Sequence, residues 1–262
     1  MLEAKTRPLR AQRPRRRNNW PVVAALVVVA ALAIAFGIGQ ASGDTDSSTV
    51  VFDRVEQEML HSDHADRQFR SASLVKLLIG LDLVERGIVT PKRPSPRVTR
   101  MLSHSDDGIA SELWSSGGGP QIVTRVAADL GLSDTEPPDT PGRWGDTLIT
   151  ANDMVKVYQH VLELPEEKRA LLLDPLRDAA RTAADGTDQH FGIPSALPGE
   201  EWGVKQAWAA GRGGVDVHTS GLVGSGDRYI VVVLTHHPEG YSLAKAESRV
   251  TAEVAELSAL LG

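Results

Sequence analysis

Ser73 and Lys76 stand three residues apart at the start of a strongly apolar run, SLVKLLIGLDLVERG, which ends at Gly87. On a helix that spacing puts both side chains on one face. A serine hydroxyl is a weak nucleophile and needs a base. A lysine can serve if burial and the positive end of the helix lower its pKa, since both disfavour the ammonium. Ser105-Asp106-Asp107 lies in a loop ahead of another helix, and His218-Thr219-Ser220-Gly221 lies in an expected strand. The Ser-x-x-Lys pattern recurs at Ser242–Lys245, where an amphipathic surface helix accounts for it. The first copy differs because its lysine enters a helix that is apolar most of the way round.

In this order the three stretches resemble the motifs Ser-x-x-Lys, Ser-x-Asn and Lys-Thr-Gly of the penicillin-recognising serine enzymes, which include class A β-lactamases and D-Ala-D-Ala peptidases. The likeness is broad. ASLVKL resembles the nucleophile segment, and SHSDDGIASELW, GGP and VTRVAADLGL look like the second-motif helix and its successor. GDTLITANDM resembles the stretch that leaves the omega loop. The resemblance covers about residues 49–262 and implies acyl transfer to a β-lactam or a D-Ala-D-Ala peptide, with no cofactor and no metal. It implies that Ser73 is acylated, that Lys76 takes its proton and that Ser105 relays a proton to the leaving nitrogen. It places Asp107, His218, Thr219, Ser220 and Gly221 at the substrate. His218 and Thr219 would hold a substrate carboxylate, and the N–H groups of Ser73 and Gly221 would form the oxyanion hole.

The departures from the pattern bear on turnover. Asp107 stands where the family has Asn, and an ionised carboxylate only accepts hydrogen bonds. Beside Lys76 it would favour the ammonium over the amine. His218 replaces Lys, and Ser220 stands where the family has Gly. Class A β-lactamases resemble one another in a Glu-x-x-Leu-Asn segment whose Glu activates the deacylating water. Residues 131–147 contain no such segment. Deacylation should therefore be slow, and a cell-wall binding or regulatory protein that keeps the fold without turnover stands as the alternative. Lys205, in Val204-Lys205-Gln206-Ala207-Trp208, reads as an exposed strand lysine, the alternative being that it supplies the positive charge His218 lacks. The His61–Asp66 and His236–Glu239 clusters read as turns rather than metal sites.

The elements needed to position these residues can be read from periodicity. Strands are expected at Thr49–Arg54 and near Glu58–His61, then the apolar helix to Gly87. Helices follow from the SHSDD stretch to Trp114, from Pro120 to Leu130, and over 150–163 and 166–183. Strands return at Trp202–Trp208, Val215–Val223 and Arg228–His236, and Ser242–Leu261 closes the chain as an amphipathic helix. This order predicts an α+β fold, with an antiparallel sheet built from both chain ends, packed by helices, and an inserted helical region.

The 262 residues include no cysteine, which excludes disulfide scaffolds, thiolate metal sites, cysteine nucleophiles and a lipobox. Net charge is −6, yet residues 1–17 hold Lys5, Arg7, Arg10, Arg13, Arg15, Arg16 and Arg17 against Glu3 alone. The rest is strongly acidic, which argues against nucleic acid as a partner. Pro21–Gly39 is uncharged and apolar, and as a helix would span ~28 Å, close to a bilayer's hydrocarbon core. By the positive-inside rule the basic end stays cytoplasmic. The expected organisation is a basic tail (1–20), a transmembrane signal-anchor (21–39), a linker (40–48) and an extracytoplasmic serine hydrolase domain (49–262). A signal peptide cleaved near Gly39-Gln40-Ala41 is the alternative to a retained anchor. The expected partners are a β-lactam or cell-wall peptide and the membrane. Oligomeric state has no signature here.

Overall fold

A computed structural model describes residues 45–262 apart from Arg212. The expected tail, the membrane segment at 21–39 and most of the linker lie outside the described residues. Among the described residues no helix is long and apolar enough to cross a membrane.

β1 (Asp46–Asp53), β2 (Glu58–Asp63), β5 (Trp202–Gly211), β6 (Gly214–Val223) and β7 (Tyr229–His237) form one antiparallel sheet in the order β2-β1-β7-β6-β5. The two chain ends meet where β1 pairs with β7, from Asp46 opposite His236 to Asp53 opposite Tyr229. β1 thus begins inside the segment expected as linker, because the end of β7 offers it backbone partners. β3 (Phe69–Arg70) and β4 (Leu148–Ile149) make a separate two-stranded pair beside the site.

Helix α1 (Val75–Glu85) runs through the centre of the helical region. Leu74, Val75, Leu77, Leu78, Ile79, Leu81 and Val84 are fully buried on all its sides. At roughly 1.5–3 kcal/mol per buried aliphatic side chain, this helix is a main anchor of the fold. Around it pack α2 (Pro96–Ser103), α3 (Asp107–Gly117), α4 (Gln121–Leu130), α5 (Ala151–Glu163) and α6 (Glu166–Arg177). The short α7 (Ile193–Ala196) and α8 (Leu243–Leu257) cover the opposite face of the sheet, where Val250 and Val254 meet Val217 and Val231. The α+β architecture with a helical insertion matches the expectation from sequence.

One helix differs. α6 stops at Arg177 instead of running to 183. The chain beyond it bonds to the open carbonyl end of α2, with Ala180 N–H on Ser103 O at 2.9 Å and Ala184 N–H on His104 O at 2.8 Å. Orphan carbonyls at a helix end need donors, and here they take the backbone that would have extended α6.

Candidate active site

Ser73 lies at the junction of β3 and α1, in a single 3₁₀ turn over Ala72–Leu74. Ser71 N–H, bonded to Thr147 O at 2.7 Å, ties that turn to the loop before β4. Ala72 has φ +43° and Ser105 has φ +53°, left-handed values that cost a side-chain-bearing residue of order 1–3 kcal/mol. Both strained residues touch the same site. The packing of α1 and the cap of α3 hold them there. That cap is Asp106, whose carboxylate accepts from Ile109 N at 3.1 Å and from Arg100 Nε at 2.9 Å.

Lys76 points from the first turn of α1 into this corner and is completely buried. Its Nζ lies 2.7 Å from Ser73 Oγ, 3.1 Å from Ser105 Oγ, 2.8 Å from Ser105 O and 2.5 Å from Asp107 Oδ1. The structure therefore brings Ser73, Lys76, Ser105 and Asp107 together across two loops and a helix. Burial pushes the Lys76 ammonium below its ordinary pKa, and the Asp107 carboxylate opposes that shift. The Asp107 side chain remains 66% exposed, so water screens the ion pair from one side.

A second lysine completes the corner. Lys205 on β5 is 1% exposed, and its Nζ donates to Ser105 Oγ at 2.9 Å and to Gln206 O at 2.7 Å. Burial lowers its pKa well below the ordinary lysine value, and the charge of Lys76 lowers it further. The reading of Lys205 as an exposed strand lysine is thus corrected. β5 is the edge strand beside the nucleophile, and the alternation of Val204 and Gln206 against Lys205 and Ala207 turns the lysine inward. The available signal was a lone lysine inside a strand otherwise poor in charge.

His218, Thr219, Ser220 and Gly221 are not brought to the cleft. They lie on β6, one strand further into the sheet, and the first three are fully buried. His218 Nε2 donates to Arg70 O at 2.8 Å, and its Nδ1 accepts from Thr235 N at 3.1 Å. Both ring nitrogens are committed in a neutral tautomer, and burial holds the pKa down. Thr219 Oγ1 accepts from Ile193 N at 3.3 Å on the far face. Ser220 Oγ meets the Tyr158 hydroxyl at 3.0 Å. Gly221 is paired on both sides, opposite Val204 and Val231, inside the sheet rather than at the cleft. A Cβ on Gly221 would come within 2.4 Å of Gly203 O, which explains this glycine by close strand packing.

Ser73 opens onto a cleft of about 690 Å³, lined by Arg70, Asp107, Trp144, Asp185, Trp208 and Asp216 among others. Every carboxylate on its wall is engaged. Asp107 meets Lys76, Asp146 pairs with Arg143, and Asp216 lies 2.6 Å from Arg70 and 2.7 Å from His236. Asp185 accepts from Trp208 Nε1 at 2.9 Å. Its burial favours the neutral acid, but hydrogen bonds from Thr187 and Trp208, with the charge of Lys76, hold the pKa below the ordinary carboxylate value. The loop before β4, which lacks the Glu-x-x-Leu-Asn segment, presents the Trp144 ring, its centroid 4.9 Å from Lys76 Nζ. Among the described residues no group of three His, Cys, Asp or Glu side chains is placed to hold a metal ion.

Comparison with known proteins agrees with this architecture. Residues 96–260 match the model of the "Beta-lactamase enzyme family". The chain is 34% identical over 208 residues to the "Putative lipoprotein LppW" of Mycobacterium tuberculosis and of Mycobacterium bovis. That match covers 76% of this chain and 66% of the relatives, so the chain spans just under two thirds of their length. Similar solved structures include a class A beta-lactamase from Mycobacterium abscessus, with a TM-score of 0.66 and 19% identity over 90% of this chain and 99% of that one. A beta-lactamase from Xanthomonas campestris gives a TM-score of 0.67 at 16% identity, over 92% and 99%. The low identities speak for the fold alone, and together with the family match they lead to one conclusion: the chain belongs to the beta-lactamase enzyme family, as a divergent member with the class A fold.

Proposed function

We propose that the protein is an extracytoplasmic, membrane-anchored acyl-transfer protein, in which Ser73 is acylated by a β-lactam or a D-Ala-D-Ala peptide and deacylation is slow. The observation that carries this reading is the placement of Lys76 Nζ between Ser73 Oγ at 2.7 Å and Ser105 Oγ at 3.1 Å. In the neutral amine form, which burial makes accessible, Lys76 accepts the Ser73 proton as Oγ attacks the carbonyl carbon. The first N–H groups of a helix have no partner within it, so that of Ser73 is free to face the developing oxyanion. Ser105 passes a proton to the leaving nitrogen, its hydroxyl oriented by Lys76 and Lys205. The engaged carboxylates around the cleft leave the ester without an obvious base for water. Placement outside the membrane rests on the charge asymmetry around residues 21–39 and on relatives named as lipoproteins.

A second reading, a wall-binding protein with little turnover, is favoured by the Lys76–Asp107 contact at 2.5 Å, which stabilises the ammonium. Intact-protein mass spectrometry after incubation with benzylpenicillin separates the two, with Ser73→Ala alongside. A lasting adduct of one penicillin on the wild type, absent from the variant, is the expected result. Hydrolysed antibiotic without an adduct would mean fast turnover and overturn slow deacylation. Neither adduct nor hydrolysis, with D-Ala-D-Ala peptides also left intact, would favour the binder.

A further inference from the structure

We propose that Trp144 sets the lifetime of the acyl-enzyme, by covering Lys76 and barring water from that side of Ser73. The inference rests on acylation of Ser73 as argued above and concerns what happens after it.

Hydrolysis of the ester requires a water oxygen to bond to the acyl carbon while Ser73 Oγ leaves and regains a proton. Some base must accept the proton that the water loses. Lys76 is the one group at hydrogen-bond distance from Ser73 Oγ that has a lone pair when neutral. Asp107, Asp146, Asp185 and Asp216 are each committed to a cation or to fixed donors. A hydrolytic water would therefore have to reach Lys76, and the Trp144 ring lies over that lysine.

The indole cannot replace the base it displaces. Its Nε1–H is a donor only, and it is spent on Ser111 Oγ at 3.1 Å on α3. Its ring face favours the ammonium over the amine. The loop is also held close. Ser71 N–H bonds to Thr147 O at 2.7 Å, Trp114 Nε1 to Pro141 O at 2.7 Å, and a Cβ on Gly145 would lie 3.6 Å from Ala72 Cα. Trp144 is thus clamped between the nucleophile turn and α3. It is a positioning residue, acting through Lys76 and the solvent rather than on the acyl group.

The test is the decay of the benzylpenicillin adduct on the full chain, followed by intact mass after excess antibiotic is removed. Trp144→Ala is expected to shorten the lifetime roughly 10-fold, with a decay rate that rises with pH below the ordinary lysine pKa of 10.5 as uncovered Lys76 loses its proton. Trp144→Phe, which keeps a ring over the lysine, should stay within about 3-fold of the wild type. If Trp144→Ala does not fold by circular dichroism, Ser111→Ala carries the test. It is an exposed change that frees the indole and should shorten the lifetime roughly 3-fold. Equal lifetimes in wild type and variants overturn the inference, as does faster decay that is flat with pH. No adduct on any of the proteins overturns the acylation reading itself, and this inference falls with it.

Discussion

Lys205 Nζ stands 2.9 Å from Ser105 Oγ, although 100 residues separate them in sequence, and both are buried. Lys76 approaches the same hydroxyl from α1 at 3.1 Å. One serine oxygen thus sits between two lysine amines, each with its pKa lowered by burial. Two ammonium groups so close repel, and the charge of Lys76 lowers the Lys205 pKa further. That arrangement suits a group that must both accept and deliver a proton.

Lys205→Met should separate stability from function. Replacing a buried charge by an apolar chain of similar length is often neutral or stabilising. The melting temperature is expected to hold or rise, while the rate of adduct formation falls by at least ~10-fold as Ser105 loses a donor that orients it. Unchanged acylation would remove Lys205 from the site.

The acylation rate should rise with pH. The reactive form needs the neutral Lys76 amine, and burial places that transition below the ordinary lysine pKa of 10.5. The sign for stability follows from the same shift. An unfolded chain binds the proton more tightly, so burying Lys76 costs stability most at low pH, and the cost is relieved as pH rises through the window below 10.5. Stopped-flow acylation across pH, with Lys76→Arg as an always-charged control, measures it. A flat profile would exclude Lys76 as the base.

Asp107→Asn should move that profile toward lower pH. It removes a carboxylate 2.5 Å from Lys76 Nζ that stabilises the ammonium. Because Asp107 is 66% exposed, the gain in acylation rate near neutral pH should be modest, roughly 3- to 10-fold. A lower rate would mean that the carboxylate serves the substrate directly.

Gly221→Ala should damage the fold and spare the chemistry. The added Cβ would meet Gly203 O at 2.4 Å, so the β5–β6 ladder must open. A loss of roughly 2 kcal/mol or more is expected in denaturant melts. Acylation per folded molecule should stay near wild type. A selective loss of acylation at unchanged stability would return Gly221 to the oxyanion site.

His218→Ala should likewise act through stability. It strips partners from Arg70 O and Thr235 N, two buried backbone groups that each cost about 1–3 kcal/mol when left unpaired. Urea titration is expected to show a lower midpoint, with no new pH dependence of acylation near the ordinary histidine range.

What the sequence determined by itself is local. The apolar run after Ser73 specifies a central helix, and the three-residue spacing puts Ser73 and Lys76 on one face of it. Asp106 ahead of a helical pattern specifies the cap that presents Ser105 and Asp107. The alternation of short strands at both ends specifies an antiparallel sheet. These features follow from backbone geometry within a few residues. Tertiary structure alone decided which strand borders the cleft. His218-Thr219-Ser220-Gly221 and Val204-Lys205-Gln206 occupy neighbouring strands, and nothing local distinguishes an edge strand from an inner one. Long-range pairing buries β6 between β5 and β7 and leaves the other edge of β5 beside Ser73. That pairing turns Lys205 into the site and makes His218 a structural group. The same holds for Trp144, whose place over Lys76 depends on how the loop before β4 folds back onto the nucleophile turn.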